Sequence, residues 1–317
     1  LYQPMVTGGR CVKFETCEQR LASRELEKIM RRIFAAMKVI NDARVDLHIH
    51  TTASDGTWNP GQLMSKLLDS GIGLFAVTDH DSVDNLAETA VIAREHGLGF
   101  VPGVEINTTY QRRNYHLLGL GIDSAAPELR ALLATNRELT EQIDADSIRY
   151  LESVIPEVCY EECRSYVNRP ERGGWKTLNY LIDKGLCSNH RDFLALFKEW
   201  GSPFERLVFA SPGAAIGAIV RAGGVPVLAH PGADFYHRDY RAVISYMIGQ
   251  GIRGIECYHP ENGPEITRYC LAVSQSKKLL VTGGSDCHGD FVPARRLGCP
   301  EIRWSQLNLG EIPKMMI

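Results

Sequence analysis

No apolar run in this chain approaches the ~20 residues needed to cross a bilayer, and no secretory apolar core opens it. A membrane partner is therefore not expected, and a cytoplasmic location is. The nine cysteines contain no CxxC pair and are odd in number, so they read as reduced, packed thiols, without a zinc-thiolate framework. Cys159 and Cys163 share a helical spacing, but two thiols without a nearby partner pack more readily than they bind metal. Neither sign of charge is in large excess: 35 Lys and Arg face 38 Asp and Glu, with a net charge of −3 and a pI near 6.4. That balance excludes a non-specific nucleic-acid coat as the chief role. Low-complexity tracts and internal repeats are also absent. What remains is 317 residues, 44% apolar and 23% charged, enough for one large domain with an insertion or for two ordinary ones.

Short β-branched or apolar runs recur at 44–49, 74–78, 100–106, 116–120, 225–229, 252–258 and 279–284. Amphipathic stretches separate many of them, at 60–71, 83–97, 213–224 and 239–251. Strands alternating with helices predict an α/β fold, a mostly parallel sheet covered by helices. Seven strands fit a closed or nearly closed barrel better than a short open sheet. Segment 18–38 has Leu26, Ile29, Met30, Ile33, Phe34 and Met37 at helical spacing and predicts an added helix with a solvated basic face. From about 124 to 206 the alternation stops. A long helical pattern over 126–154 and two more helices around 175–199 predict a helical insertion shaping access to one end of the barrel.

The chemistry concentrates in the histidines. In VDLHIH, period-two alternation puts Val45, Leu47 and Ile49 on one face and Asp46, His48 and His50 on the other. Adjacent inward positions are roughly 6.5–7 Å apart, within reach of one ion. Taken alone, such a pair fits hydrogen-bonded core histidines equally well. The wider pattern is less easily explained that way. Asp55 follows closely, His80 sits behind the second run, and Glu105 ends the third. His116 opens the fourth, His230 follows the fifth, and Asp286 and His288 follow the seventh. Six of the ten histidines thus fall at strand boundaries with carboxylates beside them. Imidazole and carboxylate without thiolate suit Mn²⁺, Zn²⁺ or Fe²⁺, and nine candidate ligands exceed what one ion takes. Two or three clustered divalent ions are expected, with Glu105 as the natural bridge and a shared water ionising near neutral pH as the nucleophile.

The stretches DLHIHTTASDG, AVTDHDSVDN, VPGVEIN, YHLLGLGID, PVLAHPG and GGSDCHGD resemble the polymerase and histidinol phosphatase (PHP) family of metal-dependent phosphoesterases, in that family's order. The resemblance implies a distorted seven-stranded (β/α) barrel with an inserted helical subdomain. Residues 1–44 would be an N-terminal extension, 45–123 and 207–317 the two parts of the barrel, and 124–206 the insertion. It implies one ion among His48, His50, Glu105 and Asp286, a second among Glu105, His116 and His230, and a third among Asp55, His80 and His288. Glu105, Asp286 and His230 would be catalytic through the hydroxide those ions hold. The insertion resembles the subgroup that cleaves nucleoside 3′,5′-bisphosphates and short RNA from the 5′ end. A small phosphorylated metabolite or nucleotide is therefore the expected substrate, with a 5′-phosphorylated oligonucleotide as an extension of it.

Substrate contacts are less legible. Members of that subgroup often carry an Arg-x-His pair at the start of an insertion helix, and Gly174 and Lys176 stand there in 173-GGWKTLNYL-181. Lys176, Arg169 and Arg172 either hold a substrate phosphate or are exposed loop charges. His259 either lines the site or supports it. Arg295 and Arg296 meet a phosphate or form a surface pair. Asp79 and Asp81 read as orienting or capping groups. His237 and Arg238, after the His230 strand, are candidates to approach substrate from a βα loop. His96, His190, Trp58 and Trp175 carry no pattern beyond packing or surface. Two further functions compete: a C–N bond (amide) hydrolase using the same ligands, disfavoured because no lysine lies in the six motifs, and a non-catalytic metal-binding PHP module, disfavoured because all nine ligand positions are filled.

Overall fold

The computed structural model describes residues 42–236 and 239–317; the helix expected over 18–38, and His237 and Arg238, lie outside the described residues. Residues Ala43–Ile317 form one compact unit. Its seven strands are β1 (Arg44–Asp46), β2 (Ile72–Val77), β3 (Gly99–Tyr110), β4 (Arg113–Leu120), β5 (Val225–Leu228), β6 (Gly254–Tyr258) and β7 (Leu280–Gly283). Between them run α1 (Pro60–Asp69), α2 (Leu86–His96), α7 (Pro212–Arg221), α8 (Tyr240–Gln250) and α9 (Pro264–Lys277). All seven expected runs are strands of one sheet, in sequence order.

Local chemistry sets the helix ends. Asn59 and Gln62 form a reciprocal capping box ahead of α1, with Pro60 at its first turn. Asp239 caps α8, and Gly251 ends it at φ 100°, a left-handed conformation that costs a glycine little. The stripe Leu63, Met64 and Leu67 of α1 is then buried against Phe75, Val77 and Phe100 on the outer face of the sheet. On the other face Leu74, Ala76, Val101, Leu118, Leu120, Val225, Val227 and Ala229 form a second core, sealed by Ile302, Leu309 and Ile312 from the C-terminal segment. A sheet buried on both sides explains why its strands read as continuous apolar runs.

Four of the six strand pairs are parallel; β4 runs antiparallel to both β3 and β5. β3 and β4 are longer than the expected 100–106 and 116–120 because they form one hairpin, turning at Gln111 (φ 48°) and Arg112 (φ 60°). Such a turn usually signals itself with Asn-Gly or Asp-Gly, and none is present. Beyond the outer strands, Leu47 N donates to Gly283 O (3.1 Å), Asp286 N to His48 O (2.8 Å) and His50 N to Cys287 O (2.9 Å).

The expected alternation in VDLHIH is not kept. The β1 ladder ends at Asp46, and Val45 and Leu47 pack in the inner core while Ile49 packs among the helices. Asp46 causes the irregularity: its carboxylate accepts from His48 N (3.4 Å), Ser285 N (2.9 Å) and Gly298 N (2.9 Å), taking the place of a strand partner.

Between β4 and β5 the chain contains helices and no strand: α3 (Pro127–Val154), α4 (Tyr160–Ser165), α5 (Lys176–Asp183) and α6 (His190–Ala195), followed by α7. α3 serves two cores. Leu129 and Leu133 pack with the sheet-covering helices, and Ile148 and Leu151 pack with Leu178, Leu181, Phe193 and Phe197 of the insertion.

Candidate metal centre

Glu105 is fully buried, and five imidazoles surround its carboxylate. His116 Nδ1 (2.9 Å) and His230 Nε2 (2.8 Å) approach Oε1. His48 Nε2, His50 Nε2 and His80 Nδ1 each lie 3.2 Å from Oε2. Asp286 Oδ1 faces His50 Nε2 (3.0 Å), His48 Nε2 (3.4 Å) and His288 Nδ1 (3.5 Å). Asp55 Oδ1 lies 3.4 Å from His288 Nε2 and 3.7 Å from His50 Nδ1. Every one of the nine residues singled out from the motifs is therefore in one contiguous cluster.

The backbone brings them there at some cost. His230 (φ 24°) and Asp286 (φ 53°) adopt positive φ, uncommon for side-chain-bearing residues and concentrated at functional sites. Glu256 Oε2 accepts from His230 N (2.8 Å), holding that turn. A Cβ on Gly284 would lie 2.5 Å from His48 N, so only glycine lets the segment after β7 approach the histidine this closely.

Several groups orient the cluster from outside it. Glu256 Oε1 lies 3.0 Å from His48 Nδ1 and assigns that nitrogen the proton, turning the Nε2 lone pair toward Glu105 and Asp286. His259 Nδ1 accepts from Glu261 N (3.1 Å), so its Nε2 proton faces Asp286 Oδ2 (3.3 Å). The guanidinium of Arg295 bonds the same Oδ2 and reaches Glu261 Oε1 at 2.6 Å. With Oδ2 so engaged, Oδ1 is left to face the histidines. Although His48, Glu256 and His259 lie close together, these hydrogen bonds already use Glu256 and His259. Asp79 accepts from Thr51 N (2.7 Å), Thr51 Oγ1 (2.6 Å) and Ser54 Oγ (2.6 Å), fixing the loop that carries Asp55. Asp81 is bonded by Asn107 and Asn136 Nδ2, both at 2.7 Å.

Electrostatics mark the same centre. Burial pushes Glu105 up, but the His48, His80 and His116 rings outweigh it and hold the carboxyl well below its usual range. Burial likewise opposes charge on His48, yet Glu105, Asp286 and Glu256 raise it well above an ordinary imidazole, and His50 is raised to about 10 by Asp286 and Glu105 against its own burial. Burial dominates at His80, lowered to about 3, and also lowers His230.

These residues fit divalent cations. His48 Nε2, His50 Nε2, His80 Nδ1, Glu105 Oε2 and Asp286 Oδ1 are buried without a hydrogen-bond partner, although each of these nitrogens lies 3.0–3.4 Å from one or both of these oxygens. Orphaned polar atoms in a native interior are rare and costly. Lone pairs close together but misaligned for mutual hydrogen bonds are what shared cations require. Atoms able to ligate a cation cluster within 4.8 Å in two sets of four: His48, His50, Glu105 and Asp286, and His50, Asp55, His80 and His288. His80, Glu105 and His116 form a third.

The other candidates are placed differently. Lys176 Nζ donates to Arg164 O (2.6 Å) and Arg172 to Asp183 (2.9 Å) and Tyr166 Oη (2.9 Å), contacts inside the insertion and not with the cluster. Arg169 and Arg296 are exposed. The insertion meets the centre through backbone, Gly174 N donating to Asp55 O at 2.8 Å, and through Phe291, whose ring faces Trp175. His190 packs on Trp175 and Phe204. Sequence reasoning missed Glu256. Its signal is a carboxylate on β6 two residues before a break in the strand, in a run otherwise buried among apolar neighbours.

The PHP domain profile matches residues 46–169. The 3′,5′-nucleoside bisphosphate phosphatase of Chromobacterium violaceum is 30% identical over 263 residues, 82% of this chain and 92% of that protein. A 5′-3′ exoribonuclease of Haemophilus influenzae is 31% identical over 189 residues, 59% of this chain and 69% of that one. A solved structure from Bifidobacterium adolescentis, provisionally assigned as a metal-dependent phosphoesterase, superposes with a TM-score of 0.72 at 26% identity, covering 86% of this chain and 96% of the other.

Proposed function

The chain belongs to the PHP family of metal-dependent phosphoesterases, and from that premise we propose that it hydrolyses a phosphate ester of a nucleotide or other small phosphorylated metabolite, or of a 5′-phosphorylated oligonucleotide, with two or three divalent ions held around Glu105. One observation carries the reading: buried, unpartnered nitrogen and oxygen atoms converge on Glu105 and Asp286. His48, His50, Glu105 and Asp286 would hold one ion, Glu105, His116 and His230 a second, and Asp55, His80 and His288 a third. The donor set contains no thiolate and suits Mn²⁺, Zn²⁺ or Fe²⁺. When bound, such ions acidify coordinated water and offset the charge of a phosphoryl group.

The protein's part is positioning. Glu105 offers an oxygen to each side of the cluster. Asp286 is held by His259 and Arg295 so that one oxygen faces inward. His48 is held in one tautomer by Glu256. His230, fixed at its backbone by Glu256, brings its ring to Glu105 Oε1.

Architecture supports the same picture. The hydrogen bonds from Leu47, His50 and Asp286 across to the opposite edge support closure of the sheet into a distorted barrel, formed by residues 45–123 and 207–317 with 124–206 inserted. Among the described residues no helix is long and apolar enough to cross a membrane. The described cysteines are unpaired, which supports a reducing, cytoplasmic setting.

Phosphate release from 3′,5′-bisphosphonucleosides and simple monoesters, and mononucleotide release from 5′-phosphorylated oligoribonucleotides, with Mn²⁺, tests the proposal. Release that His50→Ala and Asp286→Ala both abolish is expected. A metal-replete protein that releases none, yet opens cyclic amides, would move the same ligands to C–N bond hydrolysis.

A further inference from the structure

Among the described residues, eight large hydrophobic side chains are exposed, and Phe235 is the one aromatic among them. It is also the one in ring contact with the histidine–carboxylate cluster: its centroid lies 5.0 Å from that of His116 and 5.5 Å from that of His230. The ring remains 38% exposed, forgoing the stabilisation that burial gives a phenyl group.

Its position is fixed by its neighbour. Tyr236 is 1% exposed; its hydroxyl donates to Ala229 O (3.0 Å) and accepts from His116 N (3.2 Å). The short 3₁₀ turn Asp234–Tyr236 starts behind the His230 turn, where Ala233 N donates to His230 O (2.9 Å), and ends with Tyr236 N on Ala233 O (3.1 Å). A buried tyrosine therefore presents the preceding phenylalanine at the edge of the centre. The other aromatic groups near the cluster differ. Trp175 lies edge-to-face with Phe193 (5.2 Å), Phe204 (5.5 Å) and Phe291 (6.5 Å), so those rings are occupied with the core of the insertion.

We propose that Phe235 is a specificity-determining residue, a preformed stacking surface for an aromatic ring of the substrate, a nucleobase, while the phosphate is at the cluster. This rests on the phosphoesterase reading. A ring already ordered against buried groups loses little freedom when a base stacks on it. Stacking is indifferent to base identity, so the surface selects for a base and not among bases.

The test compares an adenosine phosphate, the 5′-monophosphate or the 3′,5′-bisphosphate according to which is turned over, with its abasic ribose counterpart carrying the same phosphates. In Phe235→Ala and Phe235→Leu, kcat/KM for the adenosine compound should fall about tenfold, mainly through KM, with the abasic compound changed less than about twofold. Phe235→Trp should retain the wild-type ratio. Equal losses on both compounds would mean that the ring shields His116 and His230 and would overturn the proposal, as would no loss on either. Equilibrium dialysis with adenosine gives an arm independent of turnover. Binding weakened about tenfold in Phe235→Leu supports the surface even in a protein that releases no phosphate, the result that sinks the hydrolytic reading alone. Undiminished binding in that variant overturns the surface.

Discussion

Glu256 Oε1 lies 3.0 Å from His48 Nδ1, and both groups are fully buried. The proton between them commits the other imidazole nitrogen to facing Glu105 and Asp286 as a lone pair. A lone pair directed at two carboxylates is repulsive unless a cation or a further proton lies between. The raised pKa of His48 is the protonic answer to that conflict; a divalent ion is the other. The same carboxylate accepts from His230 N, so Glu256 governs two of the proposed ligand positions without being one of them.

Glu256→Gln should therefore weaken metal binding by about 10–100-fold, the usual effect of removing a group that orients a metal-binding histidine. Chelator competition with Mn²⁺ or Zn²⁺ measures it. Affinity equal to wild type would mean that His48 needs no orienting carboxylate.

pH separates the metal-free and metal-loaded states. His50, about 10 in the folded metal-free protein, binds its proton more tightly than an unfolded histidine near 6.5. Its contribution to stability is complete below about 6.5 and is lost as pH rises through 10, and His48, raised in the same direction, adds to that loss. His80 and His230 are lowered, so their unfolded forms release protons around pH 6.5 and offset the start of that loss; above about pH 7.5 they are neutral in both states and no longer oppose it. The melting temperature of the metal-free protein should thus fall between about pH 7.5 and 10. Metal-loaded protein should lack this fall, because binding replaces those protons. Calorimetry in buffers of different ionisation enthalpy should show about two protons released per protein at pH 7.5. A flat metal-free profile with no proton release would show that the ring nitrogens are not protonated in the cluster.

Much of this was legible because strand and ligand share a pattern. A strand buried on both faces writes itself as an apolar run, and a ligand follows within three residues of its end; LAH at 228–230 and TDH at 78–80 read that way. What depends on the third dimension was not. The β3–β4 hairpin turns on Gln111 and Arg112, residues that carry no turn signal, so tertiary pairing decides it. Helix α9 buries only Cys270 and Ser274, leaving little amphipathic trace. Glu256 is marked in sequence only as an acid within an apolar run, and its place behind His48 is set by the fold. In VDLHIH the alternation is broken by Asp46 bonding to residues more than 200 positions away, Ser285 and Gly298.

Asn136 ties α3 to the centre. It donates to Asp81 Oδ1 (2.7 Å) and Asn107 O (2.9 Å), and Asp81 (φ 46°) in turn donates its backbone N–H to Glu105 O (2.8 Å). Burial already pushes the Asp81 carboxyl up to about 6. Asn136→Ala should cost about 1–3 kcal/mol by leaving Asp81 short of a buried donor. Urea unfolding of the metal-free protein measures the loss; a change under about 0.5 kcal/mol, the usual bound for a surface substitution, would mean that water replaces the amide.

Arg295 presents the sharper test of how Asp286 is held. Its guanidinium is largely buried and bridges Asp286 Oδ2 and Glu261 Oε1, with Asp286 held well below the usual carboxylate range by His48 and Arg295 against its burial. A planar fork can hold both carboxylates in fixed directions, whereas an ammonium on a flexible stem cannot. Arg295→Lys keeps the charge but loses the fork, so Asp286 Oδ1 should no longer be held toward His48 and His50. Metal affinity should fall about tenfold in Arg295→Lys and further in Arg295→Met, which leaves the Asp286–Glu261 pair without its cation. If the lysine variant binds metal like wild type and the methionine variant does not, charge alone holds Asp286 and the fork is dispensable. If both bind normally, His259 suffices to orient the carboxylate.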